Sequence, residues 1–214
     1  MKHRTLFATA FFLFIILLSL VSGCSSRKSA NQGKAIQGKL DLTEGQITNH
    51  AVRLDGKWEF YWNELLTPED FAEAGNEKAN YIDVPGSWNT YRTEKRKASG
   101  DGYATYRLLF EIQDSTKLGL KIPRMFTAYQ LWVNGERIAS AGAVGIDRDN
   151  MSPQYLPQVA LFAPRQGENE IVIQVSNFNH RSGGMLESIV LGSEKQILDM
   201  RYQKIAYEFF CSAA

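Results

Sequence analysis

Apolar and polar side chains alternate with a period of two along most of the chain, the pattern left by strands that bury one face of a sheet. In GKWEFYWN, Trp58, Phe60 and Trp62 share a face while Lys57, Glu59 and Asn63 take the other. YRLLFEI sets Tyr106, Leu108, Phe110 and Ile112 against Arg107 and Glu111, and LGLKIP offers Leu118, Leu120 and Ile122. NEIVIQVSNF opposes Ile171, Ile173 and Val175 to Gln174 and Ser176, and MLESIVLG ends the series with a shorter apolar strand. Within AYQLWVNGERIASAG, Tyr129, Leu131 and Val133 alternate inward, Trp132 faces the opposite side, and Asn134-Gly135 tolerates the positive φ of a type I′ hairpin turn. The expected fold is all-β, a jelly-roll sandwich of two packed sheets.

Two segments follow a helical period instead. Thr67-Pro68-Glu69-Asp70 combines an N-cap residue, a first-turn proline and acids that suit the helix dipole, so a short helix should run to about Gly75. Ser193 with Gln196 three residues on has capping-box spacing, and Leu198, Tyr202, Ile205 and Phe209 recur at helical intervals. Residues 194–210 are therefore expected to form a helix whose apolar stripe needs a partner.

The N-terminus adds location. An apolar run from Leu6 to Val21 carries positive charge only on its N-terminal side, which keeps that end cytoplasmic and sends the following chain across the membrane. The run closes on VSGC, Val21–Cys24, which resembles a bacterial lipobox with Cys24 as the lipidated residue. An uncleaved signal anchor is the alternative, since ~16 apolar residues is slightly short but spans a bilayer. Residues 1–23 are thus a signal peptide or anchor, 24–35 a flexible polar tether, 36–192 the sandwich and 193–214 a linker helix. Both readings give a cell-membrane protein facing the extracytoplasmic side.

Composition narrows the chemistry. The chain has 24 basic and 23 acidic side chains, and loss of Lys2 and Arg4 with the signal leaves 22 against 23, a net charge of −1. Nucleic-acid binding needs a clustered positive surface, and none is marked. Two cysteines, Cys24 and Cys211, support neither a disulfide framework nor a cysteine zinc site. No nucleophile elbow, metalloprotease helix or phosphate loop occurs, no carboxylate pair is marked by spacing, and the expectation is a non-enzyme without cofactor or metal.

The order of segments resembles a known family. LDGKWEFYW, YIDVPGSWN, GDGYATYRLLFEI, LKIPRMFTAYQLWVNGERIASAG, NEIVIQVSNFNHRSGG and SIVLG together are similar to the extracytoplasmic jelly-roll domain of bacterial seven-transmembrane receptors with diverse intracellular signalling modules. The likeness spans Ile36 to Gly192. It implies a galactose-binding-like sandwich followed by seven membrane helices and a cytoplasmic output, with QILDMRYQKIAYEFFCSAA resembling the lead-in to the first membrane helix. On that resemblance the chain is expected to be a truncated receptor or a fragment of one, with its own missing transmembrane region as a partner. A more distant similarity, carried by VPGSW, GYATYR, WVNGE and GENEIVIQVSN, is to the sugar-binding sandwich of family two glycoside hydrolases, whose catalytic carboxylates lie on a separate barrel.

The candidate ligand site follows from residue chemistry. Trp58 and Trp62 alternate with Phe60 and are expected in the core. Trp88, after Pro85-Gly86-Ser87 in a loop, is either a ligand platform or a plug closing the sandwich. NFNHRSGG gathers Asn177, Asn179, His180 and Arg181, whose amides, imidazole and guanidinium suit polyol or carboxylate recognition; the alternative is that they satisfy loop backbone. Tyr103 and Arg107 are lesser candidates with the same alternative. Asp147, Asp149 and Asn150 fail the EF-hand pattern and are expected in a solvated loop. The expected function is extracytoplasmic sensing of a small, carbohydrate-like ligand; the rivals are a self-contained lipoprotein with a carbohydrate-binding module and a glycosidase accessory domain.

Overall fold

The computed structural model describes residues 33–73, 79–93, 97–113, 116–125 and 127–212. The apolar run 6–21, the lipobox-like residues 21–24 with Cys24, and the tether up to residue 32 lie outside the described residues.

The described strands, in chain order, are β1 (Lys39–Asp41), β2 (Val52–Arg53), β3 (Gly56–Trp62), β4 (Asn80–Val84), β5 (Gly102–Ile112), β6 (Leu118–Ile122), β7 (Ala128–Val133), β8 (Glu136–Ala141), β9 (Gln158–Phe162), β10 (Gly167–Asn177) and β11 (Val190–Ser193). Three α-helices accompany them, α1 (Gln46–Asn49), α2 (Pro68–Glu73) and α3 (Glu194–Ser212), with a 3-10 turn at Trp88–Thr90. The larger sheet runs β4-β3-β5-β10-β7-β8, and the smaller runs β2-β11-β6-β9. All these pairs are antiparallel; β1 alone lies parallel, against the part of β5 that β3 leaves open. The chain passes repeatedly between the two sheets, and the all-β sandwich expected from the alternation is what forms.

Inward residues are those the alternation marks. Trp58, Phe60, Tyr106, Leu108, Phe110, Tyr129, Leu131, Ile171, Ile173 and Val175 are all buried in one core. Core indoles still need acceptors, and Trp58 Nε1 donates to the Leu54 carbonyl at 3.0 Å. The β7–β8 turn has positive φ at both Asn134 (52°) and Gly135 (87°), as a type I′ hairpin requires.

The larger sheet's outer face departs from simple alternation. Val172, Thr105 and Gln174 sit there and are buried, and the segment after β3 crosses over Thr105 and Gln174. Thr105 Oγ1 donates to the Glu64 carbonyl and accepts from Leu66 N, both at 2.8 Å, while Gln174 Nε2 donates to the Leu66 carbonyl at 3.0 Å. Period-two reasoning assigns those positions to water; a loop with backbone groups to satisfy claims them instead.

Ala35, at the end of the expected tether, packs on the sandwich. Ala35 is buried and pairs with Gly56: its N–H donates to Asp55 O and its carbonyl accepts from Lys57 N, both at 2.8 Å. A Cβ on Gly56 would stand 2.4 Å from Ala35 backbone atoms, so this edge needs a glycine.

Both expected helices form. Asp70 Oδ2 accepts from Thr67 N–H and hydroxyl at 2.7 and 2.8 Å, fixing the start of α2, which ends at Glu73; the expected end near Gly75 falls outside the described residues. At α3 the capping box is reciprocal: Ser193 N donates to Gln196 Oε1 at 2.9 Å, and Gln196 N donates to Ser193 Oγ at 3.3 Å. Ile197 is buried against Gly119, where a Cβ would lie 3.2 Å from its own. Beyond that turn Tyr202, Ile205 and Phe209 of the stripe are exposed. No helix among the described residues is long and apolar enough to cross a membrane.

Candidate functional site

β5 starts and β10 ends at one rim of the sandwich, so the loops containing residues 85–91, 98–101, 142–157 and 177–185 gather there. Hydrogen bonds join them. Gly145 N donates to Ser176 Oγ at 3.0 Å, and Arg148 pairs with Asp101 at 2.6 Å, tying the β8–β9 connection to the ends of β10 and β5.

Trp88 is the plug of this rim, which corrects its candidacy as a ligand platform. It is 0% exposed, its Nε1 donates to the Ser99 and Gly100 carbonyls at 3.0 and 3.1 Å, and Trp62 meets its ring edge-on at 5.3 Å between centroids. Gly183 lies on the indole so closely that a Cβ would come within 2.1 Å of it. The flanking loops are zipped by Gly86 N to Met185 O at 2.7 Å, Trp88 N to Gly183 O at 3.0 Å, and Asn89 Nδ2 to Arg181 O at 3.0 Å. Beneath them the buried Tyr106 hydroxyl lacks a partner at full hydrogen-bond geometry, and burial holds its pKa well above the usual tyrosine value despite some relief from the Met185 backbone.

The NFNHRSGG cluster divides in two. Asn177 is buried and spent on the backbone: Nδ2 donates to Gly100 O at 2.8 Å and to His180 O at 2.6 Å, while Oδ1 accepts from His180 N at 3.0 Å. That structural role is the alternative anticipated for it. His180 is half-buried with Nδ1 2.9 Å from the Ser182 carbonyl. Asn179 and Arg181 are exposed on the loop that Asn177 holds.

Arg107 stands apart from the rim, on the outer face of the larger sheet. Its Nε donates to Glu170 Oε1 at 2.6 Å, its Nη1 to Glu59 Oε2 at 3.3 Å, and its guanidinium lies 4.6 Å from the Phe71 ring centroid. Burial pulls the Arg107 pKa down, and Glu170 and then Glu59 more than reverse it. Tyr61 donates to the same Glu59 oxygen at 3.0 Å, and burial with that carboxylate raises its pKa. With two carboxylates and an aromatic ring around it, Arg107 pins α2 and β3 to the sheet. Tyr103 is half-buried near the start of β5, opposite Ser176.

Two rim features escape sequence reasoning. Tyr155, on the β8–β9 connection, is 52% exposed with the Arg124 guanidinium 5.2 Å from its ring centroid. Nothing periodic marks it; only an aromatic in the proline-flanked PQYLP would have drawn notice. The Arg148–Asp101 pair spans 47 positions and has no local signature. Asp147 Oδ1 accepts from the backbone of Asp149 and Asn150 at 3.0 and 2.9 Å, closing a turn on itself and holding its carboxyl below the usual aspartate value. Among the described residues no group of three His, Cys, Asp or Glu side chains is placed to hold a metal.

No protein-family model matches the chain, and no curated protein does. Solved structures match in fold. The β-glucuronidase of Ruminococcus gnavus in complex with uronic deoxynojirimycin aligns with a TM-score of 0.51 at 18% identity, over 66% of this chain and 28% of the enzyme. A GH2 β-galacturonidase of Eisenbergiella tayi bound to glycerol aligns with a TM-score of 0.48 at 18% identity, over 67% of this chain and 24% of the enzyme. The chain thus spans about a quarter of the length of the enzymes it matches, and what it shares with them is a β-sandwich.

Proposed function

We propose that the chain is a non-catalytic sensing sandwich on the extracytoplasmic side of the membrane that binds a carbohydrate-like small molecule at the rim and passes the event to α3. The observation that carries this reading is the division within residues 177–181: Asn177 holds the loop, and Asn179 and Arg181 stand exposed on it. A loop fixed before binding loses little entropy when ligand arrives. Its exposed amide and planar guanidinium match vicinal hydroxyls and a carboxylate. The shared fold favours a sugar-like ligand, since the R. gnavus enzyme carries a uronic sugar mimic. Uronates are therefore the first compounds to try. Anchoring through Cys24 belongs to the same proposal and rests on the apolar run and the lipobox-like residues.

A second reading, the accessory sugar-binding sandwich of a glycoside hydrolase, is favoured by the same fold likeness. Coding sequence beyond codon 214 separates the two: apolar segments of about twenty residues support the receptor, and a barrel pattern supports the hydrolase. Ligand binding is tested by melting shifts with glucuronate, galacturonate and neutral glycosides. Saturation at a hundred times the dissociation constant adds ~2.7 kcal/mol, and Arg181→Ala should abolish a uronate shift while leaving the unliganded melt in place. An unshifted melt with every sugar removes the rim assignment.

A further inference from the structure

The opposite end of the sandwich holds a cleft of about 600 Å³ that the rim does not share. β5 spans the distance, ten steps of about 3.4 Å from Gly102 at the rim to Ile112 at the cleft. The floor is apolar, made by Leu42, Ile47, Ile112 and Leu118, all buried. Among the described residues the walls are polar but uncharged. Thr48 and Gln113 line it, are exposed, and have no side-chain partner among the described residues. Ser193, the residue that caps α3, completes the wall.

We propose that this cleft is a second binding site, for a small neutral molecule with an apolar body and a hydroxyl-bearing end. The volume is that of ligand pockets, and an apolar floor under a few convergent polar groups is their usual lining. Charged ligands are disfavoured because, among the described residues, none of the lining side chains carries a charge to offset their desolvation. The floor takes the apolar body, and Thr48 and Gln113 supply the hydrogen bonds. Ser193 links occupancy to the helix: the residue that touches ligand is the one whose N–H and Oγ are exchanged with Gln196 to start α3. Ligand that favours the capped arrangement tightens the first turn, and the shift is limited to its differential affinity for capped and frayed states.

The test is hydrogen exchange on the full chain in lipid nanodiscs, with phenyl β-D-glucopyranoside as probe and methyl β-D-glucopyranoside as the control without an apolar body. At ten times the dissociation constant, exchange in peptides covering 42–48, 112–118 and 192–198 should slow about tenfold. The phenyl glycoside should give this protection in the wild type and in Arg181→Ala, and not in Thr48→Trp or Gln113→Trp, which fill the cleft from exposed positions. The methyl glycoside should leave these peptides unchanged. Protection that is absent from all three segments, or that persists in both tryptophan variants, overturns the site; protection of the first two segments without 192–198 overturns its link to α3. Slowing confined to residues 85–91 and 177–184 supports the rim reading and sinks this one, so the two fail separately.

Discussion

The rim and the distal part of α3 are both rich in aromatic side chains, and the fold treats them in opposite ways. Trp88 is 0% exposed and finds two carbonyls, a second tryptophan and a glycine that fits its ring. Phe209 and Phe210 are 70% and 73% exposed, with their rings edge-on to each other at 6.2 Å between centroids. The rim draws its partners from chain segments about a hundred positions apart, so its geometry belongs to the sandwich. The sandwich holds the first turn of the helix, through Ser193, Glu194, Gln196 and Ile197.

That contrast can be broken in stages. Trp88→Ala should cost most, about 3–5 kcal/mol in urea unfolding, through the void it leaves and the carbonyls it strands; a loss near zero would mean the rim is not closed by this indole. Asn177→Ala removes both donors and the acceptor that shape residues 177–181, for about 1–3 kcal/mol, and should also abolish any sugar-induced melting shift. Ser193→Ala takes away one half of the α3 cap, about 1 kcal/mol, with faster amide exchange confined to the first turn. Phe209→Ala with Phe210→Ala should change stability by less than about 0.5 kcal/mol, since both rings are exposed; a larger loss in urea unfolding would contradict that exposure. The smallest effect is a pH response at the rim. The folded Asp147 pKa is depressed by hydrogen bonds from Asn150 and Asp149, so its contribution is present above the unfolded value near 3.8 and fades as pH falls through the lower folded one. A carboxyl titration of Asp147 by NMR that shows an ordinary or raised value would contradict the turn geometry.

The candidate site was legible in part. Asn177, Asn179, His180 and Arg181 stand out as candidates because polar groups crowd one short loop, yet the sequence does not say which are used up by backbone. Asn177 went inward because Gly100, 77 positions away, supplies the carbonyl it needs. Trp88 had two readings until Gly183 and Ser99 closed over it. Arg107 looked like a rim donor from its strand position, and only the register that sets it between Glu59 and Glu170 gives it a structural role.

Local rules decided the elements themselves. Period-two burial marked the strands, Asn134-Gly135 marked the tight hairpin, and Ser193 with Gln196 marked the start of α3, because each depends on neighbours within a few residues. Which strands share a sheet, that the segment after β3 covers Thr105 and Gln174, that a cleft opens between α1 and the cap of α3, and that Tyr202, Ile205 and Phe209 stay exposed on α3 were settled by tertiary packing. Those outcomes depend on competition between distant groups for the same buried space and the same hydrogen bonds, and no short window of residues contains both competitors.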